Sequence, residues 1–338
     1  MVKLKEIAMQ TGMTVSTVSK VLNHSKEISQ ETTQLVLETA KMMGYVPKKA
    51  ASRDTKTIGV VLPEVRSHYY AELMHALSME IESHGYSMLT MLTKAYSVDV
   101  HPYVERMLQY NLDGLVVSCD RTLAESTCRM LVDNQIPALL LTESDMRYPP
   151  DSIAIKTELS VRLAVEHLIQ LGHRKIGYLG EHNSDVRYQA FCEILKQNNI
   201  ELNPNFVKRT EMRFEEGGYQ VGCELMRERE LPTAVVTSYD QIAFGAMRAF
   251  RERGIRIPED MSIVGFDNIV MDEYYPVPLT SVTNPVEQMG ITAVKILLDA
   301  IHKPTTHVVQ NVSLQSRLVI RDSTCPPKET LQIKGEKT

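Results

Sequence analysis

The sequence has no apolar run long enough to cross a bilayer. Its longest, such as Ile136 to Leu141, fall far short of the ~20 residues a spanning helix needs. The first ten residues, MVKLKEIAMQ, alternate charged and apolar side chains where an export signal would be continuously apolar. These absences predict a cytoplasmic chain with no membrane partner. Cysteine is sparse: Cys119, Cys128, Cys192, Cys223 and Cys325 are an odd set with no CxxC pair and no histidine at metal-ligand spacing. That excludes a disulfide framework and a structural zinc site, and predicts reduced, mostly buried thiols. Also missing are a GxSxG nucleophile elbow, a GxxxxGK[ST] phosphate loop and a GxGxxG turn after a strand. His68, His75 and His182 are scattered. No metal, cofactor or catalytic constellation is expected, so the chain does not read as an enzyme. There is no short-period repeat. After Arg321 the end of the chain has Pro326-Pro327 and no leucine heptad, so residues 323–338 read as a flexible tail and not as a tetramer-forming coiled coil.

What is present is ordinary globular composition, 43% apolar and 23% charged, in a chain of 338 residues that exceeds a single core. The formal charge of −5 is unevenly spread. Residues 1–57 hold nine basic and five acidic side chains, a surplus of +4 that leaves −9 for the rest. A positive end on a negative body directs that end at a polyanion.

That end has a specific pattern. In LKEIAMQTGMTVSTVSKVLN (Leu4–Asn23), Leu4, Ile7 and Ala8 lie on one helical face, Gly12 suits a left-handed turn, and Val18, Val21 and Leu22 start a second face. Small Ala8 allows a close helix crossing, with glycine four residues on and a β-branched core residue six after that. This is helix-turn-helix spacing, and the hydroxyl-rich outer face of the second helix suits phosphate and base-edge contacts. A third helix follows, with Ser29 as N-cap and Leu35, Val36, Thr39, Ala40 and Met43 as its inner stripe, ending at Gly44.

The string Leu4–Asn23, with the following ISQETTQLVLETAKMMGYVP, resembles the LacI/GalR family of bacterial repressors, and the resemblance continues to about residue 323. It implies that Val15, Ser16 and Lys20 face base edges in the major groove of a near-palindromic double-stranded operator, while Thr14, Thr17, Ser19 and Asn23 contact phosphates. Lysine at 20 lacks the planar fork that arginine offers guanine. The family's hinge helix wedges a leucine into the minor groove. Here the segment is Lys48-Lys49-Ala50-Ala51-Ser52-Arg53-Asp54, with basic Lys48 and Lys49 near DNA but Asp54 at the wedge position. Weak or no hinge insertion is expected.

From Ile58 the pattern alternates short strands with amphipathic helices. Strands are expected at Ile58–Leu62, Ser87–Leu92, Leu115–Ser118, Ala138–Leu141, Ile176–Leu179, Ala234–Thr237 and Ser262–Val264. Helices are expected at Ala71–Ser83, Leu159–Leu171, Val186–Gln197, Ile242–Arg253 and Glu287–His302. The fold expected is an all-α helix-turn-helix head plus an α/β two-lobed core, similar to periplasmic binding proteins, with two doubly wound parallel sheets. The boundaries expected are 1–47 for the head, 48–57 for the hinge and 58–322 for the core. Within the core, residues 58–156 with 284–311 form one lobe and 157–283 with 312–322 the other. The strings EHLIQLGHRKIGYLG, YDQIAFGAMRAFRERGIRIPEDMSIVGFDN and PLTSVTNPVEQMG carry this part of the resemblance.

The resemblance implies a small-molecule effector between the lobes. Arg187 in NSDVRYQAF and Asp267 at a strand's carboxyl end would hydrogen-bond it, and Tyr69 and Tyr70 would pack on a sugar ring or a base. Three positions depart from relatives: Thr142 where aspartate is frequent, Tyr239 where asparagine is, and Arg213 where an aromatic is usual, with Phe214 next to it. A sugar or sugar derivative is expected. Arg213 beside Arg187 leaves an anionic one, a sugar phosphate or sugar acid, open. The function implied is a homodimeric repressor whose operator affinity the effector shifts. The alternative is a sugar-binding sensor with weak or lost DNA binding.

Overall fold

The structure is a computed structural model that describes residues 4–22, 28–43, 55–93, 99–118, 125–142, 150–182 and 185–328. The chain forms two compact units, Met1–Asp54 and Thr55–Thr338.

In the first unit, α1 (Leu4–Thr11), α2 (Val15–Leu22) and α3 (Gln30–Met42) enclose Ile7, Ala8, Val18, Val21, Val36 and Ala40. Gly12 joins α1 to α2 at φ +68°, the left-handed conformation that glycine adopts at least cost. Thr14 caps α2, its hydroxyl accepting the Thr17 amide at 3.1 Å, and Ser29 caps α3 by accepting the Thr32 amide at 3.3 Å. One expected core residue is not inside: Leu35 is 45% exposed. The inner face of α3 is set by Val36 and Ala40, four apart, and Leu35 lies a 100° step away from Val36 on the helix.

The second unit is an α/β core of two six-stranded sheets. The first comprises β1 (Thr57–Leu62), β2 (Ser87–Leu92), β3 (Gly114–Ser118), β4 (Ala138–Thr142), β5 (Asp151–Ile155) and β11 (Asn311–Leu314), in the order β11-β5-β4-β3-β1-β2, all parallel. The second comprises β6 (Ile176–Glu181), β7 (Val207–Thr210), β8 (Ala234–Thr237), β9 (Ser262–Asp267), β10 (Thr280–Thr283) and β12 (Arg317–Val319). Its order is β12-β10-β9-β8-β6-β7, and only β12 runs antiparallel.

Successive strand residues point to opposite faces, and both faces are covered. Val60, Val116 and Leu139 pack under α4 (His68–Ser83) and α12 (Val286–His302). Their neighbours Val61, Val117 and Leu140 pack under α5 (His101–Met107) and α6 (Glu125–Asp133). In the second sheet Tyr178, Val236 and Val264 face α7 (Thr157–Gln170) and α8 (Asp185–Gln197). Leu179, Val235 and Ile263 face α9 (Phe214–Leu225) and α10 (Asp240–Glu252). The short helix α11 (Met271–Tyr274) follows β9.

The chain passes between the lobes three times: at Lys156, at Asn284–Pro285, and between Leu314 and Arg317. The third passage lies later than the expected 312, because Val312, Ser313 and Leu314 pair with β5 in the first sheet. Two other expectations need correction. Residues 55–57 of the expected hinge belong to the core, tied down by Asp113, whose carboxylate accepts the Thr57 amide and the Thr55 hydroxyl, both at 3.0 Å. Residues 323–328 of the expected flexible tail are docked on the second lobe. The fully buried Ser323 donates to the Ile263 carbonyl at 2.7 Å and accepts the Thr280 amide at 2.8 Å, and the Cys325 amide reaches Ser262 at 3.1 Å.

Candidate functional site

In each sheet the strand order reverses beside its first strand, between β1 and β3 in one and between β6 and β8 in the other. The crevice beyond the carboxyl ends of strands at such a reversal is where doubly wound folds bind ligands. Here both reversals place acidic and basic side chains there.

The wall on the second lobe is built by two helix starts. Glycines bring α9 and α10 together: a Cβ on Gly245 would lie 2.0 Å from the Glu215 carbonyl oxygen, and one on Gly218 2.1 Å from that of Ile242. The close approach sets the N-terminal ends of both helices side by side. Tyr239, the N-cap of α10, accepts the Phe214 amide on its hydroxyl at 2.9 Å and donates that hydroxyl to the buried Glu181 at the end of β6. Phe214 itself is held at φ +59°. Burial raises the pKa of Glu181, while Tyr239 and Arg213 oppose the rise. Burial and the adjacent Glu181 carboxylate raise that of Tyr239. Arg213 lies with its Nε 3.5 Å from Glu181 and its guanidinium over the Phe214 ring at 4.5 Å.

A second cluster ends β9. Asp267 (φ +99°) and Asn268 (φ +51°) turn the chain through two left-handed residues, a strain of the kind stored at ligand sites. The Asp267 carboxylate is 3.6 Å from Arg187 and accepts the Asn284 side-chain amide at 2.8 Å. Burial raises its pKa, against the pull of Arg187 and Asn284. Arg187 also donates to the Ser238 carbonyl and stacks on Phe266 at 5.1 Å.

From the first lobe, Glu64 just past β1 accepts the Ser67 amide at 3.0 Å and meets Arg213 at 3.4 Å. Arg66 stacks on Phe214 at 5.1 Å. These contacts span the crevice and join the lobes. Tyr69 is half-buried, its hydroxyl 3.9 Å from the Met289 sulfur. Tyr70 is 8% exposed and packs in the first lobe's core, edge-on to Tyr69 with centroids 5.0 Å apart. Thr142 is buried at the carboxyl end of β4.

The expected residues Arg187, Arg213, Tyr239 and Asp267 therefore converge, and Tyr70 does not join them. Glu64, Glu181, Arg66 and Asn284 were not anticipated as polar or stacking partners, while Phe214 was expected as the aromatic next to Arg213. Glu64 and Glu181 stand at strand carboxyl ends, the signal that picked out Asp267. The two expected arginines are not an open anion site, because Glu64, Glu181 and Asp267 surround them.

On the head, α2 presents Val15 (44% exposed), Ser16 and Lys20 outward, with Thr17 and Ser19 half-buried beside them. Asn23, Lys48, Lys49 and Asp54 lie outside the described residues.

Two family models match the chain: the lacI family of bacterial regulatory proteins over residues 3–48, and a periplasmic binding protein-like domain over 165–324. The HTH-type transcriptional repressor PurR of Haemophilus influenzae strain PittEE is 32% identical over 329 residues, 95% of this chain and 96% of that protein. The chain belongs to the lacI family. It is a DNA-binding transcription regulator of repressor type with an effector-binding core. Among solved structures, a lac repressor dimer bound to operator and the anti-inducer ONPF is 27% identical with a TM-score of 0.71, covering 96% of this chain and 99% of that one. A LacI family regulator from Enterococcus faecium with bound ribose is 26% identical with a TM-score of 0.70, covering 80% of this chain and 100% of that one. No helix among the described residues is long and apolar enough to cross a membrane.

Proposed function

We propose that this regulator is a cytoplasmic repressor whose grip on a near-palindromic operator is set by a neutral, polyhydroxylated effector of the sugar class, bound between the lobes. One observation carries the effector class. Arg187 and Arg213 are already matched by Asp267, Glu64 and Glu181, so the crevice offers paired donors and acceptors for hydroxyl groups and no surplus positive charge for an anion. Tyr69 supplies a face for the apolar side of a ring. The ribose in the Enterococcus faecium regulator agrees with this class. Thr14, Val15, Ser16, Thr17, Ser19 and Lys20 are proposed as the DNA-reading face, with Asn23, Lys48 and Lys49 beside it.

The repressor acts as a homodimer, like the lac repressor dimer it is similar to. The segment around α11 supports this by leaving Val270, Met271 and Tyr274 50–74% exposed. An effector shifts operator affinity only through its different affinity for two lobe arrangements.

The test is a thermal-shift panel of neutral sugars, sugar phosphates, sugar acids and nucleobases, followed by operator selection from random duplex DNA with and without the stabilising compound. Neutral sugars should raise the melting temperature, and Asp267→Asn or Arg187→Ala should abolish the rise. Stabilisation by phosphates, acids or bases alone overturns the effector class. Failure to enrich any duplex favours the alternative, a sugar sensor that has lost DNA binding.

A further inference from the structure

Asp240 is the first residue of α10 and Asp272 the second of α11, and they are 1% and 0% exposed. Asp240 is fully used. One oxygen accepts the Ser281 hydroxyl at 2.7 Å and the other accepts the Ile269 amide at 3.2 Å. Its seat exists because residue 265 is glycine: a Cβ there would lie 2.0 Å from an Asp240 oxygen. Asp272 is the opposite case. Neither of its oxygens meets a hydrogen-bond donor among the described residues, and the Arg321 guanidinium stands at 3.8 Å, beyond hydrogen-bond length. Its carboxyl is within hydrogen-bonding reach of Asp240.

Two buried carboxyls in contact cannot both ionise cheaply, and a carboxylate without donors is the more costly of the two. A single proton resolves both problems. Held between them, it makes one carboxyl the donor to the other, while the Asp240 oxygens keep their two other donors. We propose that Asp240 and Asp272 share a proton as a positioning pair, which holds the left-handed turn at Asp267–Asn268 through the Ile269 amide and couples that turn to α11. The consequence for the effector rests on the reading of Asp267 given above. The pair itself does not.

The surroundings support retention of a proton. Burial is the first cause pushing both groups up, Asp272 to about 7 and Asp240 in the same direction, and the negative Asp267 adds to both. The hydrogen bond with Asp240 is the first cause opposing the rise at Asp272, followed by the Arg321 guanidinium, after β12, and the Ile269 amide. Ser281 from β10 faces the pair with a hydroxyl, and Arg187 and His68 act only on Asp267. The folded chain thus holds protons that the unfolded chain releases near pH 4, and the pair's contribution to stability falls as pH rises from there through about 7, where Asp272 titrates, and further as the more strongly raised Asp240 does. Once both are ionised, the second negative charge repels the first and loosens the hold on Ile269.

The test is amide hydrogen exchange of the full-length chain, followed in peptides covering residues 266–276 and corrected for intrinsic rates. Exchange there should rise about tenfold as pH is raised from about 6 until both carboxyls are ionised, while peptides from β3 stay flat. Asp272→Asn, which keeps the shape and supplies a permanent donor, should remove the rise. A flat native profile, or an undiminished rise in Asp272→Asn, overturns the proposal. Infrared spectroscopy of the unsubstituted chain keeps the question decidable should the variant not fold. A protonated-carboxyl stretch must be present at neutral pH, and its absence overturns the pair. Neither readout needs an effector, so failure of the sugar reading leaves both tests intact.

Discussion

His307 stands between two carboxylates, Asp151 at 2.9 Å and Asp299 at 3.0 Å, with its side chain 9% exposed. Its hydrogen bond to Asp299 is the first cause that raises its pKa, with Asp151 adding to it. A raised histidine contributes stability that is complete below the unfolded value of about 6.5 and is lost as pH climbs through the folded value. Urea midpoints should therefore decline from just above pH 6.5, and His307→Gln should flatten that decline. Asp299, lowered chiefly by His307, adds the complementary loss below about pH 4. Arg213 tests the crevice. Arg213→Ala leaves Glu64 and Glu181 without their shared cation, and chemical denaturation at neutral pH should show a loss of about 1–3 kcal/mol. At this scale the sequence revealed residues by their position after strands. Asp267 was singled out that way, whereas Arg187 and Tyr239 came from the resemblance to the family. Glu64 and Glu181 obey the same rule and were passed over because their partner, Arg213, comes from an element with no sequence-level signature. Tyr70 was misjudged for a related reason: adjacent helical residues point about 100° apart, so only one of Tyr69 and Tyr70 can look outward.

The elements of the head were legible because a small-residue crossing, a turn glycine and two helical faces agree. Gly12→Ala should destabilise the head by about 1–2 kcal/mol, read from the thermal melt, although its Cβ would touch nothing within 4 Å. The cost is purely that of a left-handed backbone. In the core, the strands read in advance were mostly apolar runs, with the edge strand β2, SMLTML, the exception. β5 and β10, with sequences DSIAI and TSVT, are buried but rich in hydroxyls, and β7, β11 and β12 lie at sheet edges, so apolar runs could not mark them. Helix α9 escaped notice because FEEGGYQVGCEL carries three glycines. Glycine weakens an isolated helix, yet Gly218, together with Gly245 of α10, lets α9 pack against α10. The residues that hid the helix are those that build the wall of the crevice.

Across the whole core, the docked end of the chain should count. A chain ending after Asp322 loses the buried bonds of Ser323 and Cys325 and should lose stability by about 1 kcal/mol for each. A chain ending after Lys328 keeps those bonds and should melt above the one ending after Asp322. Differential scanning calorimetry of the two separates them. The three passages between lobes carry a consequence for synthesis. The first sheet lacks its edge until β11 at Asn311–Leu314, and the second until β12 at Arg317–Val319. A ribosome releasing this chain delivers a finished three-helix head within its first fifty or so residues, but it must make nearly all the rest before either lobe can close. Through most of translation the two half-sheets are growing edges with no last strand. Such edges are the ones that pair wrongly with neighbours when elongation stalls.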